Sequence, residues 1–359
     1  MQLEQLWLKD FRSYPEVSLE LGPGLCAVLG PNGVGKSNLL EAIGYLALLE
    51  SFRGAPSDAL VRRGADAAVV RGQLRADERE QLVETELVSG GRNRVLVNRQ
   101  RLVRTRDLLG AVRVTVFSPD DLALVKEGPA LRRRFLDQTL VAVDARNDAV
   151  RSEYERALRQ RNALLKQTRG RLDDAAAVTL EVWDTKLSAA GEQLAAARAD
   201  LVQRLAPLVA DAYQELAGAA DPVQLDYAAA WREVGLAAAL ASAREDELRR
   251  GLTLVGPHRD DLAITLSEMP SRTHASQGEQ RSLALALRLA AHRLVHDVTG
   301  TPPILLLDDV FSELDPGRSA SLLRSLPAGQ TLLSTAGGLP EGVVAEQVVT
   351  VEPGRVSSA

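Results

Sequence analysis

The sequence predicts an α/β protein in which a sheet lobe is divided by a helical insertion. Three observations support this fold class. A strand signal at Leu25–Leu29 leads through a glycine-rich loop into helical spacing at residues 38–49. Helix-forming residues then dominate residues 132–217, where glycine and proline become scarce. Strand signals return afterwards and end in the apolar run at residues 304–307.

The first part of the chain alternates as paired β-strands do. A turn is expected at residues 12–15, between apolar positions at Leu3, Leu6, Leu8, Val17, Leu19 and Leu21. Further strand-like segments lie at residues 69–74, 82–87, 95–97 and 112–117. We expect these segments to form the sheet lobe.

The helical insertion predicts a short antiparallel arm with a turn at residues 170–174. Its second limb spaces apolar residues three and four apart, at Leu180, Trp183, Leu187, Ala190, Leu194, Ala197, Leu201 and Leu208. A limb of about 40 residues is about 60 Å long, more than most globular helices need. The alternative is an ordinary helix packed on a domain. Strand signals at residues 252–255 and 262–266 follow, and then a long helix at residues 278–296.

The bulk composition is that of a folded globular protein. The 359 residues are 45% hydrophobic and 25% charged, which argues against disorder or a disulfide-stapled scaffold. No apolar run reaches about 18 residues and no signal peptide is visible, so we expect a cytoplasmic protein without a membrane partner. The single cysteine, Cys26, is expected in the core. The net charge of −5 means that any DNA contact needs a local basic patch or a partner.

Residues 30–37 match the P-loop pattern, with a strand before them and a helix after. These residues are Gly30, Pro31, Asn32, Gly33, Val34, Gly35, Lys36 and Ser37. The glycines let backbone N–H groups face phosphates, Lys36 neutralises the β and γ phosphates, and the Ser37 hydroxyl binds Mg²⁺. The sequence therefore predicts an ATP site.

The apolar run at residues 304–307 ends in two acids, as in a Walker B strand. Asp308 is expected to hold Mg²⁺ through its water shell. Asp309 is expected to orient or deprotonate the attacking water. Together with Lys36, these two acids are the predicted catalytic residues.

A serine-glycine segment precedes the long helix, with the residues Ser276, Gln277, Gly278 and Glu279. One interpretation is a helix cap, because Ser276 and Glu279 have the spacing of a capping box. The other is that the serine and the helix N-terminus hold the γ-phosphate of a nucleotide bound to a second copy. We favour the second interpretation because the P-loop and the acid-tipped strand are both present.

The order of these motifs resembles the ABC-type P-loop heads of SMC-like DNA repair ATPases, and more narrowly the RecF family. The family-like segments are residues 10–14, 117–122, 128–137 and 256–261. The resemblance implies ATP-dependent homodimerisation, binding to double-stranded or gapped DNA, and slow hydrolysis that releases the dimer. It also implies cooperation with RecO and RecR in loading recombinase.

The resemblance also implies further site residues. Asn38, Arg12 and Ser13 are expected beside the nucleotide, and Asp315 is expected across the dimer face. The implied domains are lobe I at residues 1–123 and 302–359, and lobe II, with the arm and the signature, at residues 124–301.

The sequence departs from the transporter-type ABC pattern in three places. Asp309 stands where a glutamate is usual, and its shorter side chain predicts a slow ATPase that acts as a timer. Ser334 and Thr335 offer hydroxyls where a switch histidine is usual. No glutamine follows Phe117, so Ser118 and Asp120 are the candidates for that role.

Residues 92–113 contain seven arginines against one acid. The predicted DNA contacts there are Arg92, Arg94, Arg99, Arg101, Arg104 and Arg106. A solvated charged hairpin is an equally good interpretation. No aromatic side chains are interleaved, so any DNA contact should follow phosphates and depend strongly on salt.

The leading hypothesis is an ATP-gated DNA clamp with composite sites. Lys36, Ser37, Asp308 and Asp309 would come from one chain, and the signature segment from the other. One alternative is a scaffold that ATP merely stabilises, with DNA contacts supplied by partners. A second is the ATPase subunit of a transporter, which the helical insertion and the missing glutamine and histidine disfavour.

Overall fold

The computed structural model describes residues 1–76, 79–168, 170–218, 221–339 and 342–358. The strands are, in chain order, β1 (Gln2–Phe11), β2 (Tyr14–Glu20), β3 (Leu25–Leu29), β4 (Ala67–Ala76), β5 (Arg79–Val88), β6 (Arg94–Val97), β7 (Gln100–Arg101), β8 (Val114–Phe117), β9 (Val223–Ala228), β10 (Asp261–Leu266), β11 (Met269–Pro270), β12 (Ile304–Asp308), β13 (Thr331–Thr335), β14 (Gln347–Glu352) and β15 (Arg355–Ser358). The helices are α1 (Lys36–Leu48), α2 (Ala123–Lys126), α3 (Pro129–Val143), α4 (Asn147–Thr168), α5 (Asp174–Ala217), α6 (Leu236–Arg250), α7 (Ser271–His274), α8 (Gln277–Thr299) and α9 (Pro316–Ser325).

The chain forms two compact units. Unit 1 contains Met1–Leu122, Leu208–Asp221 and Ser276–Ala359. Unit 2 contains Ala123–Pro207 and Pro222–Ala275. Each unit therefore gathers segments that are distant in sequence.

The units differ from the predicted lobes in where they place α8. Unit 1 ends its first segment at Leu122, beside the predicted boundary at residue 123, but it also takes in residues 208–221 and 276–301, which were predicted in lobe II. The physical reason is packing, since α8 lies against β8 and His292 Nδ1 is 3.0 Å from Thr115 Oγ1. Lobes and compact units are different divisions, and the lobe boundaries stay a prediction.

A mostly parallel six-stranded sheet in unit 1 has the order β15-β14-β3-β13-β12-β8. The strands from β14 to β8 run parallel, and β15 pairs antiparallel with β14. Every residue of β12 and β13 is buried, as expected of central strands covered on both faces. Cys26 on β3 is 1% exposed and lies in the core, as predicted. The strand predicted at Leu25–Leu29 has those bounds in the structure.

An antiparallel six-stranded sheet, with the order β2-β1-β4-β5-β6-β7, completes the β-structure of unit 1. The predicted N-terminal pairing is confirmed, because β1 and β2 pair antiparallel around the expected turn. Helix α1 contacts strands of both sheets, including β4 and β12. The P-loop that precedes α1 is therefore supported by both sheets.

Unit 2 contains the predicted antiparallel helix pair except for the end of α5, which belongs to unit 1 from Leu208 onward. α4 ends at Thr168 and α5 begins at Asp174, on either side of the expected turn. Arg161 on α4 pairs with Asp184 on α5. Tyr154, nearer the start of α4, lies against Gly191, which is farther along α5. The two helices are therefore antiparallel. α5 has 44 residues and is about 66 Å long at 1.5 Å per residue.

Parts of the prediction for unit 2 were wrong. Residues 252–255 are bends and irregular backbone and not a strand, because Thr253 is hydrogen-bonded to side chains of α4 instead of to a neighbouring strand. The first limb of the arm is two helices, α3 and α4, and not one. Strand β9 and helix α6 were not predicted, because the alanine-rich sequence there carries little periodicity. β9 is part of a three-stranded sheet with the order β11-β10-β9.

In the described ranges, no helix combines the length and apolarity needed to span a membrane.

A candidate nucleotide site

The P-loop follows β3 at the edge of the parallel sheet where the strands end. Gly35 has φ of +118°, in the region that favours glycine. A Cβ at this position would lie 2.8 Å from Ser13 Oγ and 3.0 Å from Tyr14 Oη. The Tyr14 hydroxyl donates a hydrogen bond to the Gly35 carbonyl at 2.9 Å. Local backbone conformation and close packing therefore both require glycine here.

Lys36 is held within the loop by backbone carbonyls. Its Nζ donates to Gly30 O at 2.8 Å and to Pro31 O at 2.9 Å, and the residue is only 6% exposed. Both acceptors are neutral carbonyls, which are weaker partners for an ammonium group than phosphate oxygens. The ammonium group is thus placed in the loop with bonds that phosphates would readily replace.

Ser37 and the Walker B strand meet at one carboxylate oxygen. Ser37 Oγ and Ser334 Oγ each donate to Asp308 Oδ1 at 2.8 Å. The contact arises because β13 lies between β3 and β12, with Ser334 beside Asp308 in the register. Burial raises the pKa of the Asp308 carboxyl, and the hydrogen bonds from the two serines oppose that rise. The structure thus brings together two residues predicted from separate motifs.

This junction fits the chemistry of Mg²⁺. The cation takes hard oxygen ligands, and a serine hydroxyl beside a buried carboxylate is such a donor set. Ser37 and Asp308 are therefore the residues that would hold the ion directly or through its water shell. Their roles in Mg²⁺ binding stay predictions.

Asp309 has an unusual backbone conformation next to this junction. Its φ is +50°, a left-handed conformation that is uncommon for residues other than glycine. Its N–H donates to Ser334 Oγ at 3.0 Å, and its carbonyl accepts a bond from Ser312 Oγ at 2.8 Å. The backbone of the predicted catalytic acid is therefore fixed from both sides.

The predicted neighbours of the nucleotide lie beside the P-loop. Ser13 Oγ accepts a bond from Asn38 Nδ2 at 3.0 Å. Arg12 makes a two-bond pair with the buried Glu41 at 2.8 and 2.9 Å, and its Nη1 donates to Ala59 O. Arg12 thus anchors the β1–β2 turn to α1, and a contact between Arg12 and the nucleotide stays a prediction.

Arg53 was missed by the sequence reasoning. Its Nη1 lies 3.4 Å from Asn38 Oδ1, and its charge opposes the rise in the pKa of Asp308 that burial causes. The residue is exposed and lies in the turn after α1. The chain folds back toward the P-loop at this turn. The one sequence signal for placing Arg53 near the site is that it follows the P-loop by few residues.

The signature segment forms the predicted cap. The Ser276 N–H donates to Glu279 Oε2 at 2.6 Å, and the Glu279 N–H donates to Ser276 Oγ at 3.3 Å. Ser276 and Gln277 are nevertheless exposed at the N-terminus of α8. Capping therefore leaves the segment open to a ligand, and the role in trans stays a prediction.

Asp315 caps the N-terminus of α9, since Arg318 N–H donates to its Oδ1 at 3.0 Å. Asp315 is exposed in the single chain, which the predicted position across the dimer face requires. Hydrogen bonds from the backbone and side chain of Arg318 lower the pKa of the Asp315 carboxyl. It is therefore an acceptor fixed at the surface.

The sequence is similar to known proteins over nearly its whole length. The family model described as RecF/RecN/SMC N terminal domain matches residues 2–332. The chain is 47% identical over 374 residues to the DNA replication and repair protein RecF of Streptomyces avermitilis, with 99% of each chain covered. It is 46% identical over 356 residues to the RecF protein of Frankia alni, with 94% of this chain and 93% of that one covered. The chain belongs to the RecF family.

Solved structures agree with this assignment. The structure of the recombination mediator protein RecF with ATP, in the RecFOR pathway, has a TM-score of 0.92 at 30% identity and covers 99% of this chain and 97% of that chain. An Smc head bound to the C-winged helix domain of ScpA has a TM-score of 0.60 at 18% identity, which shows the fold alone. The predicted SMC-like ABC ATPase head is therefore confirmed. Membership of the RecF family also removes the transporter interpretation.

One RecF-like segment forms a buried polar network in unit 2. The Asp260 carboxylate accepts bonds from Tyr227 Oη at 2.6 Å and from Trp231 Nε1 at 2.7 Å. Arg132 makes a two-bond pair with Asp261 at 2.7 and 2.8 Å, so it has a structural role. His258 Nδ1 lies 2.6 Å from Tyr154 Oη. This RecF-like segment thus fixes unit 2 internally.

The six arginines predicted to contact DNA lie within the β6–β7 hairpin or in the residues on either side of it. We call this region the arginine hairpin, and its arginines are Arg92, Arg94, Arg99, Arg101, Arg104 and Arg106. Arg94 pairs with Glu86 at 3.1 Å, which offsets its charge. Arg92, Arg99, Arg101 and Arg104 are exposed. The structure therefore leaves much of this basic surface accessible.

Proposed function

We propose that the protein is an ATP-gated DNA clamp for recombinational repair and replication-gap rescue. ATP binding pairs two copies around two nucleotides on DNA, and slow hydrolysis separates them. RecO and RecR act with the paired form to load recombinase. The observation that carries this proposal is the junction of Ser37, Asp308 and Ser334 beside the buried Lys36.

The nucleotide half of each composite site comes from one chain. Phosphates of ATP replace the two carbonyl partners of Lys36, because charged acceptors bind an ammonium group more strongly than neutral ones. Mg²⁺, when bound, neutralises phosphate charge beside Ser37 and Asp308. The protein thus supplies a fixed cation and oxygen ligands before ATP arrives.

The second half comes from the signature segment of the other chain. Ser276 stands exposed at the N-terminus of the 23-residue helix α8, where the helix dipole favours an anion. A γ-phosphate brought by a second copy satisfies this preference. ATP therefore acts as the contact between the two chains.

Hydrolysis in this arrangement is slow. Asp309 has a shorter side chain than glutamate and reaches less far toward an attacking water. Its backbone is fixed by Ser334 and Ser312, so it cannot readily move closer. Turnover then sets the lifetime of the pair on DNA.

The decisive experiment measures oligomeric mass with ATP and Mg²⁺, with and without duplex DNA. Wild type is compared with Lys36→Met, Ser276→Arg and Asp309→Asn. We expect ATP to dimerise the wild type, Asp309→Asn to accumulate as dimer, and the other two to remain monomeric. DNA binding should follow dimerisation in all four proteins.

A different outcome would support the scaffold interpretation. In that case mass and DNA binding would be the same with and without ATP in wild type and Asp309→Asn. Partner proteins would then have to supply the DNA contact, in keeping with the net charge of −5.

We also propose that the arginine hairpin contacts DNA phosphates. Asn98 and Arg99 have φ of +50° and +66°, as in the two-residue turns of tight hairpins. Glycine is the usual choice at the second position, so an arginine there is unfavourable for the backbone. Its presence at an exposed tip is better explained by function than by folding.

Arg99→Gly tests this proposal because it removes charge without harming the turn. We expect unchanged or higher stability and weaker DNA binding. The slope of log K for DNA binding against log salt concentration should become less steep by about one unit. Arg99→Lys should keep DNA binding, and Arg355→Ala is the control for loss of an exposed arginine elsewhere in unit 1. Equal DNA affinity in Arg99→Gly and Arg355→Ala would remove the hairpin from the DNA surface.

A further inference from the structure

Arg318 connects the signature helix to the loop that carries Asp315. Its Nε lies 3.1 Å from Ser282 Oγ on α8. Its Nη1 donates to Asp315 Oδ2 at 2.7 Å, and its backbone N–H donates to Asp315 Oδ1 at 3.0 Å. One side chain is therefore bonded to both segments that are predicted to face a second copy.

Gly278 provides the space for this guanidinium. A Cβ at Gly278 would lie 2.8 Å from both Nη atoms of Arg318 and 2.9 Å from its Cζ. The Gly278 backbone is outside the left-handed region, so its conformation does not require glycine. The packing of Arg318 against the signature turn gives a physical reason for the glycine.

A second arginine makes the reciprocal connection. Arg281, on α8, donates through Nη1 to Glu313 O and through Nη2 to Glu313 Oε2, each at 2.8 Å. Arg281 thus reaches from the signature helix to the loop, and Arg318 reaches from α9 back to the signature helix. Two links on different residues hold these segments together.

We propose that Arg318 is a positioning residue for the composite ATP site. It fixes the Ser276 turn and the Asp315 loop in one arrangement, so that a second copy meets both at once. This inference rests on the proposed function, because it requires ATP-dependent pairing. Arg318 does not have to touch the nucleotide.

The chemistry favours arginine for this task. A guanidinium is planar and directs separate N–H groups toward two acceptors, whereas an ammonium is a single charge on a flexible stem. A lysine at this position keeps the charge near Asp315 but does not hold Ser282 at the same time. Arg318→Lys therefore separates positioning from charge.

The first test compares Arg318→Ala and Arg318→Lys with Arg324→Ala. Arg324 is the matched control because it lies on the same helix and donates a hydrogen bond to Ser321 Oγ at 3.1 Å, within α9 itself. We expect all three variants to bind a fluorescent ATP analogue like wild type at concentrations where the chain is monomeric. The dimer dissociation constant with ATP should rise about tenfold in Arg318→Ala, which corresponds to about 1.4 kcal/mol. Arg318→Lys should fall between Arg318→Ala and wild type.

Mixed dimers test whether Arg318 acts on the partner's nucleotide. When Asp309→Asn chains pair with Arg318→Ala chains, one of the two sites combines an intact Asp309 with an intact Arg318. The mixture should therefore hydrolyse ATP faster than the sum of the two variants alone. Wild type mixed with a chain that carries both substitutions has a defect in each site of every mixed pair, so no gain is expected. A purely structural role for Arg318 would not produce this difference.

The outcomes separate this inference from the proposed function. If wild type does not pair with ATP, the clamp itself fails before any variant is considered. If wild type pairs and Arg318→Ala pairs as tightly as Arg324→Ala, only the positioning role is overturned. Should Arg318→Ala fail to fold, Ser282→Ala decides, because it removes one acceptor of Arg318 within the buried helix face. Unchanged pairing in Ser282→Ala would then contradict the inference.

Discussion

Ser334 joins the two acids of the candidate site through a single hydroxyl. It donates to Asp308 Oδ1 at 2.8 Å and accepts from the Asp309 N–H at 3.0 Å. The residue is 1% exposed, so its hydrogen bonds form without competition from water. Its position on β13 sets the spacing between the predicted Mg²⁺ ligand and the predicted base.

Ser334→Ala should lower ATP turnover more than ATP binding. Loss of the hydroxyl removes one hydrogen bond from the buried Asp308 carboxylate, at a cost of about 1–3 kcal/mol, and leaves the Asp309 N–H with only the Ser334 carbonyl at 3.2 Å. We expect the maximal rate of ATP hydrolysis to fall by at least about tenfold. Affinity for a fluorescent ATP analogue should change little, because Lys36 and the P-loop are untouched.

Ser312→Ala is the matched control for this prediction. Its hydroxyl donates only to the Asp309 carbonyl and is exposed, so water can replace it. If Ser334→Ala and Ser312→Ala reduce turnover equally, the hydroxyl of Ser334 has no special role in the site.

At the scale of elements, α4, α5 and α6 are joined by a buried cation. Arg161 is fully buried on α4 and pairs with Asp184 on α5 at 2.6 Å. It also lies 2.7 Å from Glu247 on α6, and its Nη1 donates to Thr253 Oγ1 at 2.9 Å. The arm is thus held to a third helix by a buried charge network.

Arg161→Met should destabilise unit 2 strongly. It leaves the buried Glu247 without its cation, and breaking such a pair costs about 3–5 kcal/mol. Urea unfolding, followed by circular dichroism, measures the loss of free energy. The double variant Arg161→Met with Glu247→Gln should lose less than the sum of the single changes, because neither charge is then stranded.

Arg159→Met provides the comparison on the same helix. Its side chain is 67% exposed and its distance to Glu155 is 3.8 Å, so it contributes little to stability. Similar losses in Arg159→Met and Arg161→Met would show that the buried network is not what stabilises the arm.

The apolar repeat of α5 shows what residue spacing alone can predict. Leu187 and Leu194 are buried as predicted, but near the end of α5 the buried positions are Leu205 and Val209, while Leu208 is half-buried. The repeat is a property of the sequence, whereas the side that becomes buried depends on what packs there. A periodic pattern therefore predicts the helix better than it predicts the partners of the helix.

At the scale of the whole molecule, each unit contains a histidine that is neutral near pH 7, and His292 is buried whereas His258 is half-buried. Burial lowers the pKa of His292 in unit 1 and of His258 in unit 2 from 6.5 to about 4. The unfolded chain therefore binds more protons than the folded chain between these values. Stability that is present above pH 6.5 is lost as the pH falls toward 4.

We expect the free energy of unfolding to fall from pH 7 to pH 5 by about 2 kcal/mol for each of these histidines. Chemical denaturation at the two pH values measures this difference. His292→Gln should reduce the pH dependence in unit 1, because glutamine does not titrate and still offers a hydrogen bond to Thr115. The exposed His274, changed to Gln, is the control. A pH dependence equal in wild type and His292→Gln would contradict the prediction.

The sequence by itself determined the features that depend on neighbouring residues. The P-loop pattern, the strand at Leu25–Leu29 and the capping box at Ser276 are set by backbone conformation within a few residues. The apolar run before Asp308 gave a fully buried central strand for the same reason. Weakly patterned segments such as β9 and α6 were not found, because alanine-rich sequence carries little periodicity.

Only the tertiary structure decided which distant side chains meet. Ser334 lies beside Asp308 because β13 is inserted between β3 and β12, and nothing local to either residue specifies that strand order. Arg318 reaches Gly278, and Arg161 reaches Glu247, because the fold brings together helices that are far apart in sequence. Local sequence fixes the periodicity and termini of each element, whereas packing fixes which charged groups lose water and must find a partner.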